Sequence, residues 1–333
     1  MRKGSVLLLP VLLIGCVGDS STPDGGSDAT TNDVVTPDTG SDVITDGGSG
    51  DGDAAVASKH AYAVNFTAPV SLLVFDMPLT SASQPTVVLP ANFKAPSDVE
   101  ILPGGLQLLV VDGAGNINNG PKVFIFDLPI TAQSTATVAI SLDMVAIDGT
   151  FDNEGNLWIS GAGNKIEKFT PPFTNASVPS QTITMPTANL FGINVAGNDQ
   201  LFVGGFVVNN PGHLYRIDLP TDAGTYNGTL DNQKIDQPTG IAFTNTALFV
   251  ANFGIGEVDN LGVPIQSTTT PTAVGKTLLG NPARLRFTGN TLGVADSKVG
   301  IVMLDPPAYN TATITIPAGD GAVHDVRGIC FGP

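Results

Sequence analysis

The chain has 333 residues, 14 lysines plus arginines against 30 aspartates plus glutamates, and a formal net charge of −16 at pH 7. Such an acid excess, with no basic run or patch, makes nucleic acid and anionic lipid poor partners for the folded surface, and no nucleic-acid partner is expected. At the N-terminus Arg2 and Lys3 precede an apolar stretch over residues 6–14, the layout of a secretory signal segment occupying residues 1–15. That apolar core is too short to span a membrane as a helix.

The stretch runs into Leu13-Ile14-Gly15-Cys16. This resembles the lipobox of bacterial lipoproteins: a branched apolar pair, a small residue, then the cysteine that is lipidated and becomes residue one. The resemblance implies acyl chains on Cys16, enough to exceed the two-signal threshold for stable anchoring, so the mature chain is expected to be held at a membrane without crossing it. Val17 and Gly18 follow the cysteine, with no aspartate directly after it, which resembles lipoproteins sent to the outer membrane. The expected location is therefore the bacterial cell envelope, lipid-anchored at the outer membrane or cell surface.

Residues 16–57 form a linker rich in Gly, Ser, Thr, Pro and Asp, with nine aspartates and no basic or aromatic residue. Such a segment cannot bury enough apolar surface to offset the entropy of ordering it. It is expected to be a disordered, self-repelling tether that holds the following domain about 35 Å from the lipid. Its Asp-Gly texture lacks the ligand spacing of an EF-hand loop.

From residue 58 onward a repeat governs the chain. Runs at 61–65, 108–112, 157–161, 201–205, 248–252 and 292–296 end in Asn65, Asp112, Gly161, Gly205, Asn252 and Asp296, spaced 47, 49, 44, 47 and 44 positions apart. That is the period of one four-stranded propeller blade. Upstream of the runs lie inner-strand elements: Asp98-Val99-Glu100, Gly149-Thr150-Phe151, Gly192-Ile193-Asn194, Gly240-Ile241-Ala242, Arg284-Leu285-Arg286 and Gly328-Ile329-Cys330. The last element has no downstream run and the first run has no upstream element. Pairing the C-terminal strand with the N-terminal strands completes one blade and closes six into a ring over residues 58–333.

Downstream of the runs a further strand closes on an aspartate-proline pattern, as in Phe75-Asp76-Met77-Pro78, Phe126-Asp127-Leu128-Pro129, Ile217-Asp218-Leu219-Pro220 and Leu304-Asp305-Pro306-Pro307. Threonine replaces the aspartate at Thr170, and Glu257-Val258-Asp259 reads as the degenerate copy. These aspartates are expected to bond nearby backbone N–H groups at strand ends, and the prolines to stop the strand.

With Cys16 lipidated, Cys330 is left without a partner, in an apolar strand that reads as burying a structural thiol. His60, His213 and His324 are scattered without metal-ligand spacing; His213 is expected at the surface and His324 in a solvated loop beside Asp325.

The all-β repeat resembles the NHL-type and gluconolactonase (senescence-marker) type six-bladed propellers, whose unit is an apolar inner strand, a turn and a Leu-aromatic-Val-Ala-Asp strand. In the gluconolactonase type a divalent ion sits in the central channel. The resemblance carries a candidate calcium set onto Asp98, Asp148, Asn194 and Asp325 at inner-strand starts, with Asp112, Asn252 and Asp296 at the channel rim; hard oxygen ligands of this kind suit calcium. The chain departs from that pattern. No glutamate stands at the first inner-strand start, Gly161 and Gly205 occupy two rim positions, and Arg284 and Arg327 add positive charge near the ring centre.

A structural ion pair therefore stands beside the metal reading. Two functions follow: a membrane-anchored scaffold binding a protein, glycan or peptide on one propeller face, and alternatively a calcium-dependent lactonase or esterase.

Overall fold

The structure, a computed structural model, describes residues 58–333 except 114–119, 188, 198, 208–209, 220–223, 225, 227–229 and 320. The signal segment, Cys16 and the linker lie outside the described residues. The first blade contains His60–Asn65 (β1), Ser71–Asp76 (β2) and Val87–Leu89 (β3). The second is Pro96–Ile101 (β4), Gln107–Asp112 (β5), Lys122–Asp127 (β6) and Val138–Ser141 (β7). The third is Ala146–Phe151 (β8), Leu157–Gly161 (β9), Lys165–Phe169 (β10) and Gln181–Thr184 (β11). The fourth is Leu190–Ala196 (β12), Gln200–Gly205 (β13), His213–Asp218 (β14) and Leu230–Asn232 (β15). The fifth is Pro238–Phe243 (β16), Ala247–Asn252 (β17), Glu257–Gly262 (β18) and Thr272–Val274 (β19). The sixth is Pro282–Thr288 (β20), Thr291–Asp296 (β21), Gly300–Leu304 (β22) and Ala312–Pro317 (β23).

The last strand, Val326–Gly332 (β24), pairs antiparallel with β1, so the first blade reads β24-β1-β2-β3 and the chain's two ends lock one another. The expected ring closure is thus present. The innermost strands β24, β4, β8, β12, β16 and β20 contact one another in turn around a central axis.

The runs are continuous apolar segments because both faces of each blade are covered by a neighbour. Along β5, Leu108 and Val110 pack toward the first blade while Leu109 and Val111 pack toward the third. Six such inter-blade cores follow one another around the ring, the last joining the sixth blade to the first. Each fully buried Leu, Val, Ile or Phe in them contributes roughly 1.5–3 kcal/mol of burial.

Every innermost strand shifts register by one residue near its start, beside Pro96/Asp98, Ala146/Asp148, Leu190/Ile193, Pro238/Ile241, Pro282/Arg284 and opposite Val64/Asn65. Such bulges re-aim the side chains that follow. They also correct the blade-three register. Asp148 pairs with Ser160 as Asp98 pairs with Val111, so the counterpart of Asp98-Val99-Glu100 is Asp148-Gly149-Thr150 and not Gly149-Thr150-Phe151.

The aspartate-proline reading needs two corrections. Asp76, Asp127, Asp218 and Asp305 stand opposite the first residues of the second strands and bond their side chains, not backbone N–H groups: Gln107 donates to Asp127 at 2.8 Å, Gln200 to Asp218 at 3.2 Å and Thr291 to Asp305 at 3.0 Å. His60 lies 3.3 Å from Asp76. In the fifth blade that position, opposite Ala247, is Gly262, whereas Asp259 is a buried mid-strand residue opposite Val250. His213, expected at the surface, opens the third strand of its blade, half-buried and stacked on Tyr215. Cys330 is buried, as expected.

Candidate functional site

The corrected register defines one rung of the channel: Gly328, Asp98, Asp148, Gly192, Gly240 and Arg284, in ring order from the first blade to the sixth. The glycines let the strands close up. A Cβ at Gly192 would lie 2.5 Å from Thr239 O, and one at Gly240 would lie 2.7 Å from Ala283 O and 2.9 Å from Arg284 Cα. Across this narrowed channel Arg284 of the sixth blade reaches Asp148 of the third, Nη2 to Oδ2 at 3.4 Å. Its Nη1 donates to Ala283 O at 2.8 Å and to Thr239 O. Asp148 also accepts from Ile193 N–H, and Asp98 Oδ1 accepts from Val99 N–H at 2.5 Å.

The next rung holds Glu100, Thr150, Asn194, Ala242, Arg286 and Cys330. Asp98 (0% exposed), Asp148 (1%) and Arg284 (0%) are sealed from water. Burial pushes the Asp98 carboxyl up to about 7 despite the guanidinium groups of Arg284 and Arg286, which oppose the rise. Burial also raises Asp148, aided by the charge of Asp98 and opposed by Arg284.

Water is kept out by an apolar cap at the end of the channel where the innermost strands begin, called the mouth here. Ile147 and Phe191 pack there with Val145, Phe206 and Phe66. Because Phe66 belongs to the first blade and the others to the third and fourth, the cluster bridges the mouth. The Phe191 and Phe206 rings stack at 4.3 Å and 12°. Arg327 lies 4.8 Å from the Phe66 ring and 5.7 Å from that of Phe253, and its Nε is 2.5 Å from Asp325 Oδ1. Cation–π contacts of this kind contribute about 0.5–2 kcal/mol and here fix the two rings. Phe66, Phe206 and Phe253 each sit one residue past a run end, a pattern present in the sequence that the repeat analysis did not use.

The rim candidates pin loops. Asp112 accepts from Lys94 and Ala95 N–H at 2.8 and 2.6 Å. Asp296 accepts from Gly280, Lys298 and Val299 N–H at 2.7, 2.8 and 2.9 Å and from Asn281 N–H. Asn252 accepts from Gln237 N–H at 3.2 Å, and Asn65 from His324 N–H at 3.1 Å. Each ties the end of a second strand to the segment leading into its own blade's innermost strand. At Gly161 and Gly205, backbone approaches too closely for any side chain: a Cβ would meet Val145 O at 2.7 Å and Asn189 O at 2.9 Å.

Of the proposed calcium set, the structure brings Asp98 and Asp148 into one rung. Asn194 lies in the next rung, its amide donating to Ile241 O at 2.8 Å, and Asp325 is held by Arg327 at the mouth. Among the described residues no group of three or more His, Cys, Asp or Glu converges as a metal site. The residues fit a divalent cation poorly, because Arg284 already brings positive charge to Asp148.

No family model matches the chain, and no curated protein matches it. It is similar to a chain of the nidogen/laminin complex, with 15% identity, 82% of this chain and 98% of that one covered, and a TM-score of 0.62. It is similar to a protein of unknown function from Bacteroides caccae, at 12% identity, 83% and 99% coverage and a TM-score of 0.62. The PQQ-bound aldose sugar dehydrogenase from Streptomyces coelicolor aligns at 13% identity, 83% and 96% coverage and a TM-score of 0.54. At these identities the likeness defines the fold: the chain is a six-bladed β-propeller.

Proposed function

We propose that this chain is a bacterial lipoprotein, anchored in the cell envelope through Cys16, whose propeller binds a partner on its mouth face. One observation carries this reading. On the axis Arg284 pairs with Asp148 beneath the aromatic cap, whereas at the mouth itself exposed lysines stand around the exposed Ile255 and Val207. Ile255 is 55% exposed and Val207 37%, each close behind a half-buried Phe. The chain enters β1 at His60, paired with Gly332, at the opposite end of the channel, so a tether over residues 16–57 would join the propeller on the face away from the mouth. The propeller in the nidogen/laminin structure comes from a complex, which is in keeping with a binding role.

The second reading is the calcium-dependent lactonase or esterase. Its support is that Asp98 Oδ2 and Asp148 Oδ1 make no hydrogen bond among the described residues.

A photo-reactive cross-linker placed at Ile255, and separately at Leu106 on the opposite face, tests the binding reading in intact cells. Adducts at Ile255 alone are expected. Adducts at neither position, or at Leu106 alone, would overturn it.

A further inference from the structure

The direction of the strands sorts the charged side chains between the two faces. Innermost and third strands start at the mouth; second and outer strands end there. The mouth face therefore carries Lys94, Lys122, Lys165, Lys234, Lys276 and Lys298, which lie in the loops between second and third strands, at third-strand starts, or in the segments entering innermost strands. Lys94, Lys234, Lys276 and Lys298 are exposed. Lys165 pairs with Asp143 at 3.5 Å and Lys276 with Glu257 at 3.3 Å. Lys94, Lys122, Lys234 and Lys298 make no ion pair among the described residues.

Exposed acids stand at the other face, at the third-strand ends Asp76, Asp127 and Asp218 and in the hairpin at Glu154, with one exposed lysine, Lys59, at the entry to β1. At the mouth face the acids Asp143, Glu257 and Asp325 are engaged by Lys165, Lys276 and Arg327, Asp112 and Asp296 are buried against backbone N–H groups, and Asp236 is exposed. Although the sequence shows no basic run, the fold thus gathers exposed lysines around an apolar mouth.

We infer that the mouth face binds an acidic protein segment that seats an apolar side chain against the cap; this rests on the mouth being the binding face. Charge complementarity selects an acidic partner, since unpaired lysines around a low-dielectric centre raise both the encounter rate and the discrimination against basic chains. The centre selects an apolar anchor. Ile255 and Val207 stand beside Phe253 and Phe206, whose positions are fixed by Arg327 and by the stack on Phe191, and rigid apolar contacts of this kind are where interface energy concentrates.

A glycan fits less well. A sugar ring stacks on a flat exposed aromatic face, but Phe206 is covered by Phe191 on one side, the chain's Trp158 is buried, and the exposed side chains here are aliphatic.

The test uses the full chain in detergent micelles and a fluorescent peptide in which aspartates flank a Leu-Phe pair. Saturable binding is expected, weakening as salt rises and the Debye length shrinks. A combined Lys94→Glu, Lys234→Glu, Lys298→Glu variant and a separate Ile255→Ser variant, all at surface positions, should each weaken binding by about tenfold or more. A peptide with lysines in place of the aspartates should not bind.

If that lysine peptide binds equally, or the variants leave binding unchanged, the inference fails. If a polyuronate binds and loses binding in Ile255→Ser while the acidic peptide does not bind, the partner class is overturned but the mouth remains the binding face. If neither probe binds while cross-linking at Ile255 persists, the acidic segment is again excluded and the binding reading stands. Failure of both fells both.

Discussion

The axis and the mouth of this propeller both contain charged residues and treat them in opposite ways. On the axis, Asp98, Asp148 and Arg284 are buried, face one another and leave nothing charged in contact with water. At the mouth, some 15 Å or less along strands that rise about 3.3 Å per residue, lysines stand in solvent around half-buried phenylalanines. The lesson is that a cluster of charges at the centre of a ring is not by itself a reactive centre. Here Arg284 joins opposite blades, and the exposed lysines stand around the mouth.

The comparison breaks most sharply at Arg284. In Arg284→Ala the buried Asp148 carboxylate loses its guanidinium, and denaturant unfolding should register a loss of roughly 3–5 kcal/mol. Adding Asp148→Asn should recover part of it; no recovery would mean that the two side chains do not act as a pair.

Next in size is Asp296→Ala, which strips the acceptor from four backbone N–H groups and should cost roughly 1–3 kcal/mol in the same measurement.

Two buried acids, Asp98 on the axis and Glu167 in β10 of the third blade, should also make stability depend on pH. Asp98 is raised to about 7 and Glu167 to about 8, in both cases first by burial and in Glu167 next by its hydrogen bond with Asp143. The folded chain then holds protons that the unfolded chain, with ordinary carboxyls near about 4, has released. Stability should be fullest near the lower end of that window and decline as pH rises through it, so the melting midpoint at about pH 8 should lie several degrees below that at about pH 5. Asp98→Asn should shallow the slope; a flat or rising profile would contradict the buried-acid picture.

The smallest stability effect belongs to the mouth. Ile255→Ser should alter unfolding by no more than about 0.5 kcal/mol while removing cross-linked partners from that face.

Much of the architecture was legible in the sequence because both faces of the second strands are covered. Leu108-Leu109-Val110-Val111 reads as a continuous apolar run, and its period fixes the blades and the pairing of β24 with β1. A one-residue bulge leaves no such trace, since it changes neither composition nor spacing by more than one position. That is why the sequence separates Asp148 from its own inner-strand element; the position of Gly262 is hidden for another reason, since the fifth blade has a glycine where the pattern has an aspartate and Asp259 is an acid three residues away.

The candidate site was legible in its members but not in their grouping. Asp98, Asp148 and Arg284 were identifiable as channel residues, yet only the ring geometry puts Arg284 opposite Asp148, with glycines between. Phe66, Phe206 and Phe253 were visible one residue past the run ends; their meeting across the mouth depends on which blades are neighbours and which are opposed.

The most direct test of the claim that internal charges, rather than a metal, occupy the axis is thermal unfolding of the full chain with millimolar calcium and then with excess chelator. A ligand at a hundred times its dissociation constant would add about 2.7 kcal/mol, a shift of several degrees. The expected result is the same midpoint in both conditions. A rise with calcium that disappears in Asp98→Ala or Asp148→Ala would contradict the account and make lactone or ester hydrolysis the next activity to measure.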